Sequence, residues 1–195
     1  AAGKSSAVGA SACTSCSAGS YSGPGASACL ECKVTATGGG TYQDLPDQSS
    51  CKLADAGSFV NAVGASAQVK CLAGTFSGSG ASECVDCEAG TYADATGQSN
   101  CKLVDAGFFV AAEGASAQVA CDAGTYSGSG ATACIDCSAG TFSGSAGTTS
   151  CTLAGAGTQV AIDGASSQSP CPAGKFSGGG ASECTLCEIG TSSTE

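Results

Sequence analysis

Cysteine is the residue type with the most chemistry to offer in this sequence, which has 16 cysteines and no histidine. Thiols bind zinc, exchange electrons or form structural disulfides. Ten of the cysteines form Cys-x-x-Cys pairs, a spacing found in zinc knuckles and in thioredoxin-like redox motifs. The pairs are Cys13 with Cys16, Cys29 with Cys32, Cys84 with Cys87, Cys134 with Cys137, and Cys184 with Cys187.

The other cysteines distinguish between these chemistries. A zinc site needs two complete pairs for each metal and would leave the cysteines about 13–20 residues away unused, whereas a ladder of disulfides uses them. A redox role needs a βαβ context, which the sequence lacks. Without histidine there is also no ordinary general base and no Ser-His-Asp or Cys-His arrangement. We therefore expect structural disulfides, no metal, no cofactor and no enzyme activity.

Composition explains why disulfides are needed. Ile, Leu, Val and Phe number only 26 of 195 residues, too few for a hydrophobic core to offset chain entropy. Closing a loop of about 14 residues by a disulfide removes roughly 3 kcal/mol of unfolded-state entropy in the chain-entropy model. Such cysteine density is typical of secreted proteins in oxidising compartments. A net charge of −10 without basic clusters argues against nucleic acid, and no apolar run is long enough to span a membrane.

Internal repeats set the organisation of the chain. Residues 51–100 and 101–150 are identical at 31 of 50 positions, and the same cysteine spacing continues from residue 151. The sequence therefore predicts a divergent first repeat at 1–50, repeats at 51–100 and 101–150, and an incomplete fourth repeat at 151–195.

A shorter module lies inside each fifty-residue repeat. It reads Cys-x-Ala-Gly-Thr-(Phe/Tyr), as at Cys71–Phe76, and ends at a second cysteine such as Cys84. Glycines supply positive φ and tight turns, so each module is predicted to be a short irregular β-hairpin, with almost no helix. We expect the modules to stack mainly on their nearest neighbours into an elongated, solenoid-like rod. Nine of the ten aromatic residues lie two positions after the module's glycine and are expected to pack on the disulfide or on the next module's backbone: Tyr21, Tyr42, Phe59, Phe76, Tyr92, Phe109, Tyr126, Phe142 and Phe176.

Three modules have lost their cysteines, and this loss predicts the disulfide pairing. Ala54 and Gln68 stand at the opening and closing positions of one module, Val104 and Gln118 in the second, and Ala154 and Gln168 in the third. Both positions change together each time, as expected for a bonded pair. The predicted pairs are Cys16–Cys29, Cys32–Cys51, Cys71–Cys84, Cys87–Cys101, Cys121–Cys134, Cys137–Cys151 and Cys171–Cys184.

Aliphatic side chains are expected to take over from the missing disulfides by burial in these three modules. The candidates are Val60, Val63 and Val69, then Val110 and Val119, then Val160 and Ile162.

Two cysteines, Cys13 and Cys187, remain without partners in this pairing scheme. They indicate either continuation into a longer chain or a bond from Cys187 to Cys13 of the next molecule, in head-to-tail homo-assembly.

The pattern Cys-x-Ala-Gly-Thr-Tyr…Cys-x-x-Cys-x-Ala-Gly-Thr-Tyr resembles the ephrin-receptor-like and TNF-receptor-like cysteine-rich repeats, through segments such as Cys71–Cys84 and Cys121–Cys134. Such repeats occur in receptors, adhesins and surface filaments. The regularity, the richness in Ala, Gly and Ser and the cysteine-free modules look more like protist surface proteins and the mastigoneme filaments of flagella.

These observations predict an extracellular structural protein at the cell surface or flagellar surface, a subunit or segment of a filament that assembles with itself. The alternative is the cysteine-rich ectodomain of a receptor or a surface antigen. Ser and Thr number 47 residues, which suits either turn chemistry or O-linked glycans. Asp44 with Asp47 is interpreted as a solvated turn rather than a calcium site.

The rod itself is testable by small-angle X-ray scattering. A compact domain of this length has a radius of gyration of about 16 Å. We expect a value well above that figure, because modules that stack in sequence order extend the molecule. A value near 16 Å would rule out the rod.

Overall fold

The computed structural model describes residues 1–34 and 39–188. In these residues it contains two-residue strands and no helix, and each odd-numbered strand pairs with the strand that follows it. The hairpins predicted from the sequence are therefore confirmed. The strands are β1 Lys4–Ser5, β2 Thr14–Ser15, β3 Ser20–Tyr21, β4 Leu30–Glu31, β5 Thr41–Tyr42, β6 Lys52–Leu53, β7 Ser58–Phe59, β8 Val69–Lys70, β9 Thr75–Phe76, β10 Val85–Asp86, β11 Thr91–Tyr92, β12 Lys102–Leu103, β13 Phe108–Phe109, β14 Val119–Ala120, β15 Thr125–Tyr126, β16 Ile135–Asp136, β17 Thr141–Phe142, β18 Thr152–Leu153, β19 Thr158–Gln159, β20 Ser169–Pro170, β21 Lys175–Phe176 and β22 Thr185–Leu186.

The module that opens at Cys71 shows how the sequence makes a hairpin. Gly74 has a φ of 89°, which lets the chain turn sharply before β9, and the amide of Thr75 closes that turn on the carbonyl of Leu72 at 3.1 Å. The strand β9 pairs antiparallel with β10, with Phe76 opposite Val85. The strand β10 fills the two positions between Cys84 and Cys87. A Cys-x-x-Cys pair thus encloses the second strand of its hairpin.

The aromatic side chains lie at the cross-strand positions of the hairpins. Tyr126 faces Ile135 and Phe109 faces Val119, the aromatic–aliphatic pairing that stabilises two-stranded ribbons. Eight of the nine aromatics are half-buried, and Phe176 is exposed. Phe59 and Phe76 also form parallel bridges to the backbone of the following module, at Ala81 and Gln98. The backbones of these two residues thus contact the next module, while the packing of the aromatic rings on a disulfide or on that backbone remains a prediction.

The core is a set of small side chains at two positions in each module. One is the opening position, where Cys71, Cys87 and Cys121 are at most 1% exposed. The other lies three residues after the first glycine, where Ser77 and Ser127 are at most 2% exposed. Because both positions take small residues in most modules, the interior needs few large apolar side chains.

The chain folds into two compact units. The first comprises Ala1–Cys87, Ala93–Lys102 and Gly114–Ser116, and the second comprises Glu88–Tyr92, Leu103–Glu113 and Ala117–Glu195. The four fifty-residue repeats remain a division predicted from the sequence. Within the described residues, no helix has the length and apolar character needed to cross a membrane.

Alanine at Gly74 is expected to destabilise its neighbourhood. The positive φ alone costs an L-residue about 1–2 kcal/mol, and the added methyl group would overlap the carbonyl of Gly114. Hydrogen exchange by mass spectrometry should show faster exchange in the modules around residues 71–101.

The matched control for this variant is Gly78→Ala. Gly78 has no positive φ, and a methyl group there meets no atom of the described residues within 4 Å. We expect little change in the hydrogen exchange of the Gly78→Ala variant. Equal effects of the two substitutions would contradict the role assigned to Gly74.

Candidate functional site: the junctions between modules

Seven disulfides close the modules that carry both an opening and a closing cysteine. Their Cα–Cα distances are 5.6–5.7 Å, and the opening cysteine of most pairs is buried while the closing one is half-buried. Every pair joins residues 13 to 19 positions apart, as in Cys71–Cys84 and Cys32–Cys51. The fourteen cysteines and their partners are those proposed from the paired losses in the three cysteine-free modules.

None of the Cys-x-x-Cys pairs retains two free thiols in the structure. Three of them have both cysteines in disulfides, and in the other two only Cys13 and Cys187 are free. Cys13 is exposed and Cys187 is half-buried. The described residues hold no cluster of three or more metal-binding side chains.

Backbone hydrogen bonds join each module to the next, and they follow one scheme. Between the Cys71 and Cys87 modules, the amide of Gly74 donates to the backbone carbonyl of Ala93 at 2.8 Å. The amide of Ser77 donates to the backbone carbonyl of Gln98 at 3.3 Å. In return, the amide of Gly97 donates to the carbonyl of Cys71 at 2.8 Å. We call these three bonds the clasp.

The clasp recurs in the second compact unit. Between the modules that open at Val104 and Cys121, Gly107 donates to Ser127 and Gly130 donates to Val104. The scheme uses only backbone groups, so it does not depend on side-chain identity, provided that glycine remains where the chains approach.

A second contact reaches the module after the next one. The backbone at Gly74 lies against the carbonyl of Gly114, two modules further on, and Gly124 lies against Gly164 in the same way. The carboxylate of Asp86 also lies beside Gly114. The clasp joins nearest neighbours, as expected, and the modules also contact the module after the next, because glycine lets backbones two modules apart touch.

Glutamine replaces the closing cysteine with hydrogen bonds in the cysteine-free modules. The side-chain oxygen of Gln118 accepts the amide of Asp105 at 2.8 Å, and its nitrogen donates to the Asp105 carboxylate at 2.8 Å. In the module that opens at Ala154, Gln168 accepts from the amide of Gly155 at 2.7 Å. The sequence shows glutamine at each closing position that has lost its cysteine. The hydrogen bonds that these glutamines form were not predicted from it.

Only part of the expected aliphatic replacement occurs. Val60, Val110 and Val160 are 2–4% exposed and fill the inner position three residues after the first glycine, where most other modules have serine. The other four candidates are 55–69% exposed, because they lie on loops or on the outer face of a hairpin. The prediction is wrong for Val63, Val69, Val119 and Ile162.

The charged groups lie at the surface. The Nζ atom of Lys52 lies 2.7 Å from Oδ1 of Asp44, and the hydrogen bond between them lowers the pKa of the exposed Asp44 carboxyl. Any stabilisation from this pair is therefore lost as the pH falls through the lowered pKa. Asp47 adopts a φ of 59° at the turn position that glycine occupies in other modules, and its amide donates to the carbonyl of Cys16. Asp44 thus forms an ion pair with Lys52, and Asp47 occupies a turn.

This geometry defines a tandem cysteine-rich repeat protein built from disulfide-stapled hairpins. Residues 74–121 and 124–171 match the model of the tyrosine-protein kinase ephrin type A/B receptor-like family. The resemblance to ephrin-receptor-like repeats is therefore confirmed, while the resemblance to protist filaments remains a prediction. No curated protein matches the chain.

Removing the Gln118 amide should loosen its hairpin. Gln118→Ala deletes two hydrogen bonds, each with a net worth of about 1 kcal/mol. We expect faster hydrogen exchange between residues 104 and 121, with the flanking disulfides intact.

Gln48→Ala serves as the matched control, because within the described residues the side chain of Gln48 bonds only the nearby carbonyl of Pro46. It should change exchange little. No difference between the two variants would show that Gln118 does not act as a staple.

Proposed function

We propose that the chain is an extracellular structural protein, a subunit or segment of a surface filament, with no enzyme activity. Disulfides and ephrin-receptor-like repeats are features of extracellular or cell-surface proteins. The observation that carries the proposal is the recurrence of one clasp in module after module. Within the described residues, no single module brings together the side chains that a catalytic site requires.

A recurrent apolar side chain supports assembly with other copies of the chain. Leu53, Leu103 and Leu153 occupy the same position in the three fifty-residue repeats and are 57–66% exposed. Exposed aliphatic side chains that recur at a fixed period suit lateral contacts between copies. A filament of this kind fits the outer surface of a cell or a flagellum.

Electron microscopy of the purified protein tests this proposal. We expect filaments for the native sequence and their loss in the triple variant Leu53→Asp, Leu103→Asp and Leu153→Asp. The fold should tolerate these changes, because Asp86 and Asp136 already occupy the equivalent position in other modules.

A triple change of Leu to Val at the same positions is the matched control and should leave filaments in place. Monodisperse particles of the native protein at every concentration would overturn the proposal.

A receptor ectodomain is the second candidate, favoured by one feature that the repeats do not share. An open groove beside the second fifty-residue repeat is lined by Phe59, Val69 and Leu72. The next repeat has Asp122 in place of Leu72. Monodisperse native particles whose ligand binding is lost in Leu72→Asp, but not in Asp122→Leu, would support this candidate.

A further inference from the structure

One position outside the junctions carries a hydroxyl in every module. It lies two residues before the closing position, and we call it the hydroxyl position. Eleven closing positions occur in the sequence, including those where glutamine replaces cysteine, and all eleven have Ser or Thr there. The residues are Ser11, Ser27, Ser49, Ser66, Ser82, Ser99, Ser116, Thr132, Thr149, Ser166 and Ser182.

The neighbouring residue does not share this constancy. The next position holds Ala117 in one module, Glu83 in another, and Asn100 or Ser150 in others. The repeats have therefore diverged around a hydroxyl that stays the same. A fixed residue type in a variable surface segment needs either a structural or a functional reason.

The fold does not use these hydroxyls. Ten of the eleven residues are exposed and Ser82 is half-buried. In the described part of the chain, the only side-chain hydrogen bond from this position runs from Ser99 to its neighbour Asn100 at 3.4 Å. The buried serines differ, since the hydroxyl of Ser77 donates to Ser58 at 2.9 Å and that of Ser127 donates to Phe108 at 2.8 Å.

The backbone beside the hydroxyl position is held by hydrogen bonds between modules. At ten of the eleven sites, the exception being Ser11, the carbonyl of the preceding residue accepts a hydrogen bond from the previous module, as when Ala131 accepts from Val110 at 3.0 Å and Ala115 accepts from Ala93 at 3.1 Å. Small residues flank many of the hydroxyls, as Ala115 and Ala117 flank Ser116. Most of these hydroxyls are thus presented on a hydrogen-bonded backbone with open access.

We propose that the hydroxyl position is the acceptor site for O-linked sugars. The hydroxyl oxygen attacks the anomeric carbon of a nucleotide-activated sugar, and a glycosidic C–O bond forms. The bond from the anomeric carbon to the diphosphate breaks, and the nucleoside diphosphate leaves with the electron pair. The hydroxyl proton passes to a base of the glycosyltransferase. The proposal rests on the extracellular location proposed above and is independent of filament formation.

Charge favours a sugar over a phosphate as the added group. The chain already carries a net charge of −10, and Glu83 and Glu183 directly follow two of the hydroxyls. Each phosphate would add about −1.5 to −2 charges beside these carboxylates. A neutral sugar adds bulk and hydration without that repulsion.

Peptide mapping of the protein isolated from its native source, by electron-transfer fragmentation, tests the assignment. We expect sugar masses on peptides that contain the hydroxyl position and none on the buried Ser77 and Ser127. Unmodified hydroxyl positions, sugars confined to other residues, or phosphate masses in place of sugars would each overturn the proposal.

Variants expressed in the same organism separate modification from folding. Ser116→Ala should remove the sugar of one site, and Ser116→Thr should retain it. Neither change deletes a hydrogen bond of the fold, so disulfide mapping should be unchanged in both. An unaltered total sugar mass in Ser116→Ala would count against Ser116 as an acceptor, whether or not the protein forms filaments.

Discussion

In most modules, the backbone at the first glycine passes so close to later modules that a side chain would have no room. Gly74 illustrates this constraint, since its amide donates to the next module and its backbone faces the carbonyl of Gly114. Backbone groups buried in this way must find hydrogen-bond partners, and the clasp supplies them. The close approach also explains the small residues of the core, because neighbouring backbones leave space for cysteine, serine, alanine or valine.

Disulfides and glutamine side chains close the same kind of loop by different physics. A disulfide such as Cys121–Cys134 restricts the unfolded chain, an effect of roughly 3 kcal/mol for a loop of this size. Gln118 acts in the folded state through two hydrogen bonds, each worth about 1 kcal/mol. Burial of Val110 adds about 1.5–3 kcal/mol. A cysteine-free module can therefore approach the stability of its stapled neighbours.

Regular junctions leave the outer surface free to vary, and this separation bears on function. Side chains on the outer face differ between repeats, as Leu72 and Asp122 show, while the junction residues keep their types. The hydroxyl position is exposed like the variable outer face, yet its residue type is constant like that of the junctions. A surface function for that hydroxyl is consistent with the structure, since burial and hydrogen bonding do not explain it.

The sequence by itself determined the disulfide scheme and the hairpin period, because both are written in local spacing. Paired loss of the opening and closing cysteines identifies partners 13 to 19 residues apart, and glycine marks each turn. Only the tertiary structure decided which aliphatics are buried, since Val60 and Val63 lie in one module but face opposite environments. It also decided that Gln118 forms a staple and that Gly74 meets Gly114. Those contacts depend on how successive hairpins lie against one another, and residue spacing alone does not encode that arrangement.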